Sequence, residues 1–154
     1  MCGAGALPAR VAREAKRRGF RIVAFAFGET PGLDGAVDRL VPSSVADIAA
    51  VLTGLRAERV SAAVFCGRLA AQELLQARGD AAGEAIVARG GGGLSDAGLL
   101  QGVLGTLTDL GIEVLDQRPF YGDWITRAGP LGGRDATAAE EVDVARGFRG
   151  DRRA

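Results

Sequence analysis

Short runs of consecutive apolar residues alternate along this chain with longer stretches whose apolar residues recur every three or four positions. The runs are RIVAFAF (Arg21–Phe27), RVSAAVFC (Arg59–Cys66) and IEVLD (Ile112–Asp116), the form of short strands covered on both faces. The periodic stretches predict helices. Pro8 suits a first helical turn, Val11, Ala12 and Ala15 give an apolar face, and Gly19 suits the stop. Ser44 is expected to cap a second helix carrying Val45, Ile48, Ala49, Leu52 and Leu55, with Asp47 completing an approximate capping box. A third is expected from Leu69 to Gln76, continuing to Arg89. A fourth starts at Ser95 or Asp96 and presents Leu99, Leu100, Val103, Leu104, Leu107 and Leu110, with Gly111 behind it. GETPGLDG (28–35) reads as a loop, and PFYGDWI as a loop with a helical turn.

Strands that alternate with amphipathic helices predict an α/β domain with a mostly parallel sheet and right-handed crossovers. Ligands of such sheets bind beyond the carboxyl ends of the strands. The loops expected at that edge are Cys2–Pro8, Gly28–Gly35, Cys66–Arg68 and Asp116–Tyr121, with Gly90–Asp96 able to reach it.

Composition narrows this picture. The 154 residues fit one domain with a real core. The formal net charge is zero with both signs interspersed, which gives no electrostatic argument for nucleic acid or an acidic membrane. No apolar run reaches the roughly 20 residues that span a bilayer, and a secretion-signal layout is absent, so a cytoplasmic location is expected. Without histidine, imidazole catalysis and histidine–metal ligation are excluded. Cys2 and Cys66 are too few for a structural zinc site, and a reducing compartment argues against a disulfide; both read as small core thiols.

Three stretches carry candidate chemistry. Gly3-Ala4-Gly5-Ala6-Leu7-Pro8 opens a helix, where backbone N–H groups attract phosphate. It lacks the third glycine of Gly-x-Gly-x-x-Gly, and Pro8 removes a donor, so from these residues alone a plain tight turn is the favoured reading over a phosphate contact. Arg68, after Gly67 at a strand end, suits bidentate phosphate pairing or simple solvation. The glycine run 90–93 leads to Asp96 as a mobile clamp or as a tolerated low-complexity insertion, and Asp96 also suits a helix N-terminus. Tyr121 and Trp124 suit base stacking or sealing of the core. No local pair of carboxylates suggests general acid–base work.

Taken together, GAGALPARVAREAKRRGFRIVAFAF, RVSAAVFCGRL, SDAGLLQGVLGTLTDLGIEVLDQRPF and RAGPLGGRDATAAEEVDVARGF resemble, in this order, the N-terminal part of the LpxI-type UDP-2,3-diacylglucosamine pyrophosphatases of lipid A synthesis. The Gly-x-Gly-x-Leu-Pro opening and GIEVLDQRPF are the most specific blocks. The resemblance implies a Rossmann-like three-layer N-terminal domain and a separate C-terminal half that holds the catalytic aspartate. The implied reaction hydrolyses UDP-2,3-diacylglucosamine to UMP and 2,3-diacylglucosamine 1-phosphate, with a divalent metal, Mg, as cofactor. By position Gly3, Ala4, Gly5, Leu7 and Pro8 fall in the family's opening loop. Gly67 and Arg68 match its glycine followed by a basic residue, and Asp96 matches the first acid of its GDD-like segment. A UDP-sugar lipid is the implied ligand, with a location at the cytoplasmic side of the inner membrane.

Departures are equally specific. The family's opening strand before the glycine loop is missing, Ser95-Asp96-Ala97 lacks the second acid, and Pro42-Ser43 stands where glycine–glutamine is common. The expected division is a Rossmann-like domain over 1–134 and the start of a connecting helix over 135–154, opened by a capping box at Thr137–Glu140. The expected role is substrate binding without catalysis by this chain alone, in company with a separately encoded C-terminal half. The alternatives are a non-catalytic sugar-nucleotide binding module and a truncated gene product. Loss of the opening strand predicts a destabilised sheet, or a gap filled by rearrangement or association.

Overall fold

The computed structural model describes residues 1–69, 81–92, 96–126 and 132–151. Contacts divide the chain into one unit over Met1–Gly122 and a second over Asp123–Ala154.

In the first unit, helix α1 (Leu7–Arg17) leads into strand β1 (Val23–Ala26), which pairs in parallel with β2 (Arg39–Pro42). Helix α2 (Ile48–Ala57) follows, and then β3 (Ala62–Ala63). Beyond it come α3 (Ala81–Arg89), α4 (Asp96–Asp109) and β4 (Glu113–Val114), which pairs in parallel with β3. The first unit is thus a mixed α/β fold with two small parallel sheets.

The extreme N-terminal segment joins these sheets. Cys2 bridges Ala26 on one side and Cys66 on the other, both in parallel. Its N–H donates to Phe25 C=O and its C=O accepts from Phe27 N–H, each at 2.8 Å. Gly3 N–H donates to Cys66 C=O (2.8 Å), Cys66 N–H to Met1 C=O (3.1 Å), and the Met1 amino group to Val64 C=O (2.8 Å). Met1–Ala4 therefore takes the central place expected to be vacant, at the carboxyl ends of its neighbours. Toward their amino ends, between Arg21–Phe25 and Arg59–Val64, a cavity of about 330 Å³ remains.

Alternation along β1 divides the core. Ala24 packs with Cys2, Ala9, Ala12, Leu33 and Ala36, the cluster of α1 and the Leu33–Ala36 turn. Phe25 packs with Val51, Leu55, Ala63, Leu107 and Ile112, drawn from α2, β3, α4 and the approach to β4. A third cluster sets Phe120 on Val11 and Ala15 of α1. The 116–121 loop therefore seals α1, with Phe120 as the sealing aromatic and Tyr121 half-buried. At the opposite end of the sheet Glu58 accepts from Arg21 (2.8 Å) and pairs with Arg39 (2.6 Å), tying α2 to the starts of both β1 and β2. The Arg21 hydrogen bond and the Arg39 charge lower the Glu58 pKa.

Several sequence expectations change. The segment Arg39–Pro42, given no element from the sequence, is a strand; Pro42 at its end is tolerated because nothing pairs beyond β2 among the described strands. α2 starts at Ile48, not near Ser44, because Ser44 Oγ accepts from Ala46 N–H in its own short turn while Asp47 Oδ1 accepts from Ala50 N–H at 3.0 Å. Leu100, placed on the apolar face of α4, is 50% exposed. The stretch that meets α3 includes glycine: a Cβ on Gly102 would run into the Ile86 carbonyl, and one on Gly105 into the Arg89 side chain. Arg89 also pairs with Asp109, closing the two helices together. The expected helix over 69–76 lies, beyond Leu69, outside the described residues, as do Gly93–Ser95 of the glycine run.

The second unit contains α5 (Ala138–Asp151). Its capping box forms as expected: Thr137 N–H donates to Glu140 Oε2 (2.8 Å) and Glu140 N–H to Thr137 Oγ1 (3.4 Å). Arg134 adds a two-pronged contact to Glu140 at 2.7 and 2.8 Å. Trp124, in this unit, is 54% exposed and does not seal a core.

Candidate functional site

The glycine turn and the Gly67-Arg68 turn, 64 residues apart in sequence, meet backbone to backbone. Both strands end at the same edge, and each turn begins directly after a cysteine of the Cys2–Cys66 pair. Ala4 N–H donates to Arg68 C=O (2.7 Å) and Arg68 N–H to Ala4 C=O (3.0 Å), an antiparallel bridge that closes the edge. The two glycines make this approach possible. A Cβ on Gly3 would lie 2.5 Å from Arg68 O, and one on Gly67 2.7 Å from the Gly3 carbonyl carbon. Gly67 also holds φ at +86°, which other residues rarely adopt. Gly5 N–H extends the closure to Glu29 C=O at 2.9 Å.

From this junction the chain turns into α1 through Ala6, whose side chain makes no capping bond. Leu7 is half-buried and Pro8 buried, anchoring the first turn against the core. The N-terminal end of α1 thus sits beside Gly3–Gly5, with its positive dipole end toward the same edge. Arg68 is exposed there. Gly3, Ala4, Gly5, Leu7, Pro8, Gly67 and Arg68, inferred separately from sequence, are therefore one constellation. Asp96 opens α4, and its side chain lies outside the described residues.

Two further features border the junction and escaped the sequence reading. The Cys2 and Cys66 sulfurs lie 3.9 Å apart beneath it. The hydrogen bond from Cys66 lowers the Cys2 pKa to about 6, and the same bond together with burial raises Cys66. An apolar pocket of about 270 Å³ adjoins Gly3 and Gly67, with Phe27, Val45, Phe65 and Leu99 among its walls. Alternating apolar runs identify buried residues, but they carry no signal for which of two faces leaves a gap.

Among the described residues no three His, Cys, Asp or Glu side chains converge as a metal-binding group. The described edge residues Gly3–Pro8, Gly67 and Arg68 carry no carboxylate for a divalent cation. Among the described residues no helix is long and apolar enough to cross a membrane.

Fold and edge geometry define a small α/β domain with a glycine-lined turn at the carboxyl ends of its parallel strands. The family model of the LpxI N-terminal domain matches residues 1–124. The chain belongs to the LpxI family through that domain, which relates it to lipid A biosynthesis and a lipid-sugar context. No curated protein and no solved structure matches it.

Proposed function

We propose that this chain is the substrate-binding half of a UDP-2,3-diacylglucosamine pyrophosphatase and holds the UDP-sugar lipid at the Gly3–Pro8 and Gly67–Arg68 edge. The observation that carries this reading is the backbone junction of Gly3 with Arg68. It brings a helix N-terminus and an arginine to one edge, the donor set that suits a pyrophosphate. The order β2, β1, Met1–Ala4, β3, β4, parallel along the strands with an antiparallel bridge at Ala4–Arg68 where the turns meet, supports a Rossmann-like domain. So does the division of core residues between α1 on one side and α2 and α4 on the other. In that fold the nucleotide crosses the sheet at its carboxyl edge.

In this mechanism the N–H groups at the start of α1 and the Arg68 guanidinium hold the pyrophosphate oxygens and neutralise their charge. Gly3 and Gly67 let the two turns close on each other, which sets the start of α1 and Arg68 side by side at that edge. Asp96 contributes to binding from the start of α4. Water attack on the phosphoanhydride, yielding UMP and 2,3-diacylglucosamine 1-phosphate, is the work of the family's C-terminal half. The metal, Mg in this reading, is brought with carboxylates of that half. Work on a lipid substrate would set the complex at the cytoplasmic face of the inner membrane.

Calorimetry with UDP and UDP-N-acetylglucosamine tests the binding role, and UMP release on mixing with a C-terminal half tests the enzymatic one. Binding of both nucleotides that Arg68→Ala weakens about tenfold or more supports the site, about 1.4 kcal/mol for a charge-assisted contact. Binding without UMP release from folded partners would leave a non-catalytic sugar-nucleotide module. Absence of heat and of any thermal shift across the set refutes the site itself.

A further inference from the structure

The chain's two cysteines face each other. They occupy directly paired positions where Met1–Ala4 runs parallel to the segment leaving β3. Backbone hydrogen bonds on both sides of the pair fix this register, Gly3 to Cys66 at 2.8 Å and Cys66 to Met1 at 3.1 Å. Both thiols are free, Cys2 buried and Cys66 half-buried. This backbone pairing joins positions 64 residues apart and sets the two sulfurs 3.9 Å from each other. A disulfide has sulfurs about 2.05 Å apart, so closure needs roughly 2 Å of combined sulfur movement, within reach of side-chain rotation and a small backbone shift.

The surroundings divide the roles. The sulfur–sulfur contact and the neighbouring Met1 ammonium favour the Cys2 thiolate, while the same contact and burial hold Cys66 as a thiol. Cys2 is then the nucleophile and Cys66 the resolving partner. Both line the cavity of about 330 Å³ left between β1 and β3, whose size admits a peroxide to a thiol that is otherwise 6% exposed.

We propose that Cys2 and Cys66 form a peroxide-reactive dithiol whose oxidation closes a reversible disulfide beneath the two glycine turns. The Cys2 thiolate attacks one oxygen of hydrogen peroxide; the S–O bond forms, the O–O bond breaks, and hydroxide leaves and takes up a proton. Cys2 is oxidised to the sulfenic acid and the peroxide is reduced. The Cys66 sulfur then bonds to Cys2 Sγ, its thiol proton passes to the departing oxygen, and water is released. In sum two thiols and one peroxide give one disulfide and two waters. A disulfide between paired positions of neighbouring parallel segments departs from relaxed geometry, which makes it readily reducible by ordinary thiols. Its effect is to lock Gly3 and Gly67 together at the edge where the turns meet.

Peroxide titration of the purified chain, read by thiol counting and non-reducing peptide mass mapping, tests this independently of any nucleotide binding. The expected result is loss of both thiols, a mass lower by about 2 Da, a Cys2–Cys66 cross-linked peptide, and full reversal by dithiothreitol. In Cys66→Ser the reaction stops at Cys2 sulfenic acid and dimedone adds once per chain; in Cys2→Ser oxidation of Cys66 slows about tenfold or more. The proposal is overturned if the parent chain keeps both thiols under peroxide that oxidises a free cysteine control, or if disulfides form only between chains. The peptide map of the parent chain decides this even where a variant fails to fold.

Discussion

Replacing Gly3 with alanine tests the backbone junction on which the edge depends. The new Cβ would stand 2.5 Å from Arg68 O and 2.8 Å from Arg68 N, and the obstructing atoms are main chain, which cannot swing aside. Restoring van der Waals separation requires the two turns to part by nearly 1 Å. Two hydrogen bonds bear the movement directly, Ala4 to Arg68 at 2.7 Å and Arg68 to Ala4 at 3.0 Å. Losing them costs about 1 kcal/mol each, and overpacking elsewhere in the contact adds about 1 kcal/mol or more. The expected destabilisation is about 3 kcal/mol in urea unfolding followed by far-ultraviolet circular dichroism. Gly35→Ala is the control: its Cβ meets nothing within 4 Å and its backbone is ordinary, so its stability changes little or rises by about 0.4–1 kcal/mol. Equal losses in the two variants, or a Gly3→Ala loss below about 0.5 kcal/mol, would refute the close-approach argument.

Four other perturbations address separate links. Gly102→Ala drives a Cβ into the Ile86 carbonyl and is expected to cost about 2 kcal/mol through separation of α3 and α4, seen as a lower urea midpoint. Leu55 of α2, 2% exposed in the cluster with Phe25 of β1, costs about 2–5 kcal/mol of stability as alanine in the same assay. Asp47→Ala costs about 0.5–2 kcal/mol and Ser44→Ala clearly less, because Asp47 caps the helix; the reverse order in thermal melts would restore Ser44 as the cap. Glu140 is held down at about 2 by Arg134, then by the Thr137 N–H and hydroxyl. A carboxylate depressed in the folded state stabilises above its ordinary pKa near 4.5 and stops doing so as pH falls through the folded value. α5 therefore loses helical signal between about pH 4.5 and 2, and Glu140→Gln removes that transition from the circular dichroism titration.

The sequence was most legible where a signal was local. The apolar run around Val23–Ala26 became β1, the capping box at Thr137 opened α5, and Pro8 sat in the first turn of α1. It was less legible where two residues competed for one task. Ser44 and Asp47 both suit a cap, and only the bond to Ala50 decides between them. β2 was not recognised because Leu40 and Val41 are its only large apolar residues, and a parallel partner 16 residues away supplies the pairing. Leu100 kept its helical spacing and still faced solvent, since spacing defines a stripe but not how wide a partner covers it.

The candidate site divides the same way. Each turn, Gly3–Pro8 and Gly67–Arg68, was readable by itself as glycine beside a helix start or a strand end, and the family blocks gave both a common context. Neither turn predicts that Gly3 would touch Arg68, or that Cys2 and Cys66 would be in contact. Periodicity, capping and turn chemistry act within a few residues, so the sequence by itself determined the kinds of element and the small residues at their ends. Only the tertiary structure decided that Met1–Ala4 lies between β1 and β3, because that pairing forms between segments 24 and 64 positions away. Its stability comes from hydrogen bonds and close backbone approach that exist only after the sheet has assembled.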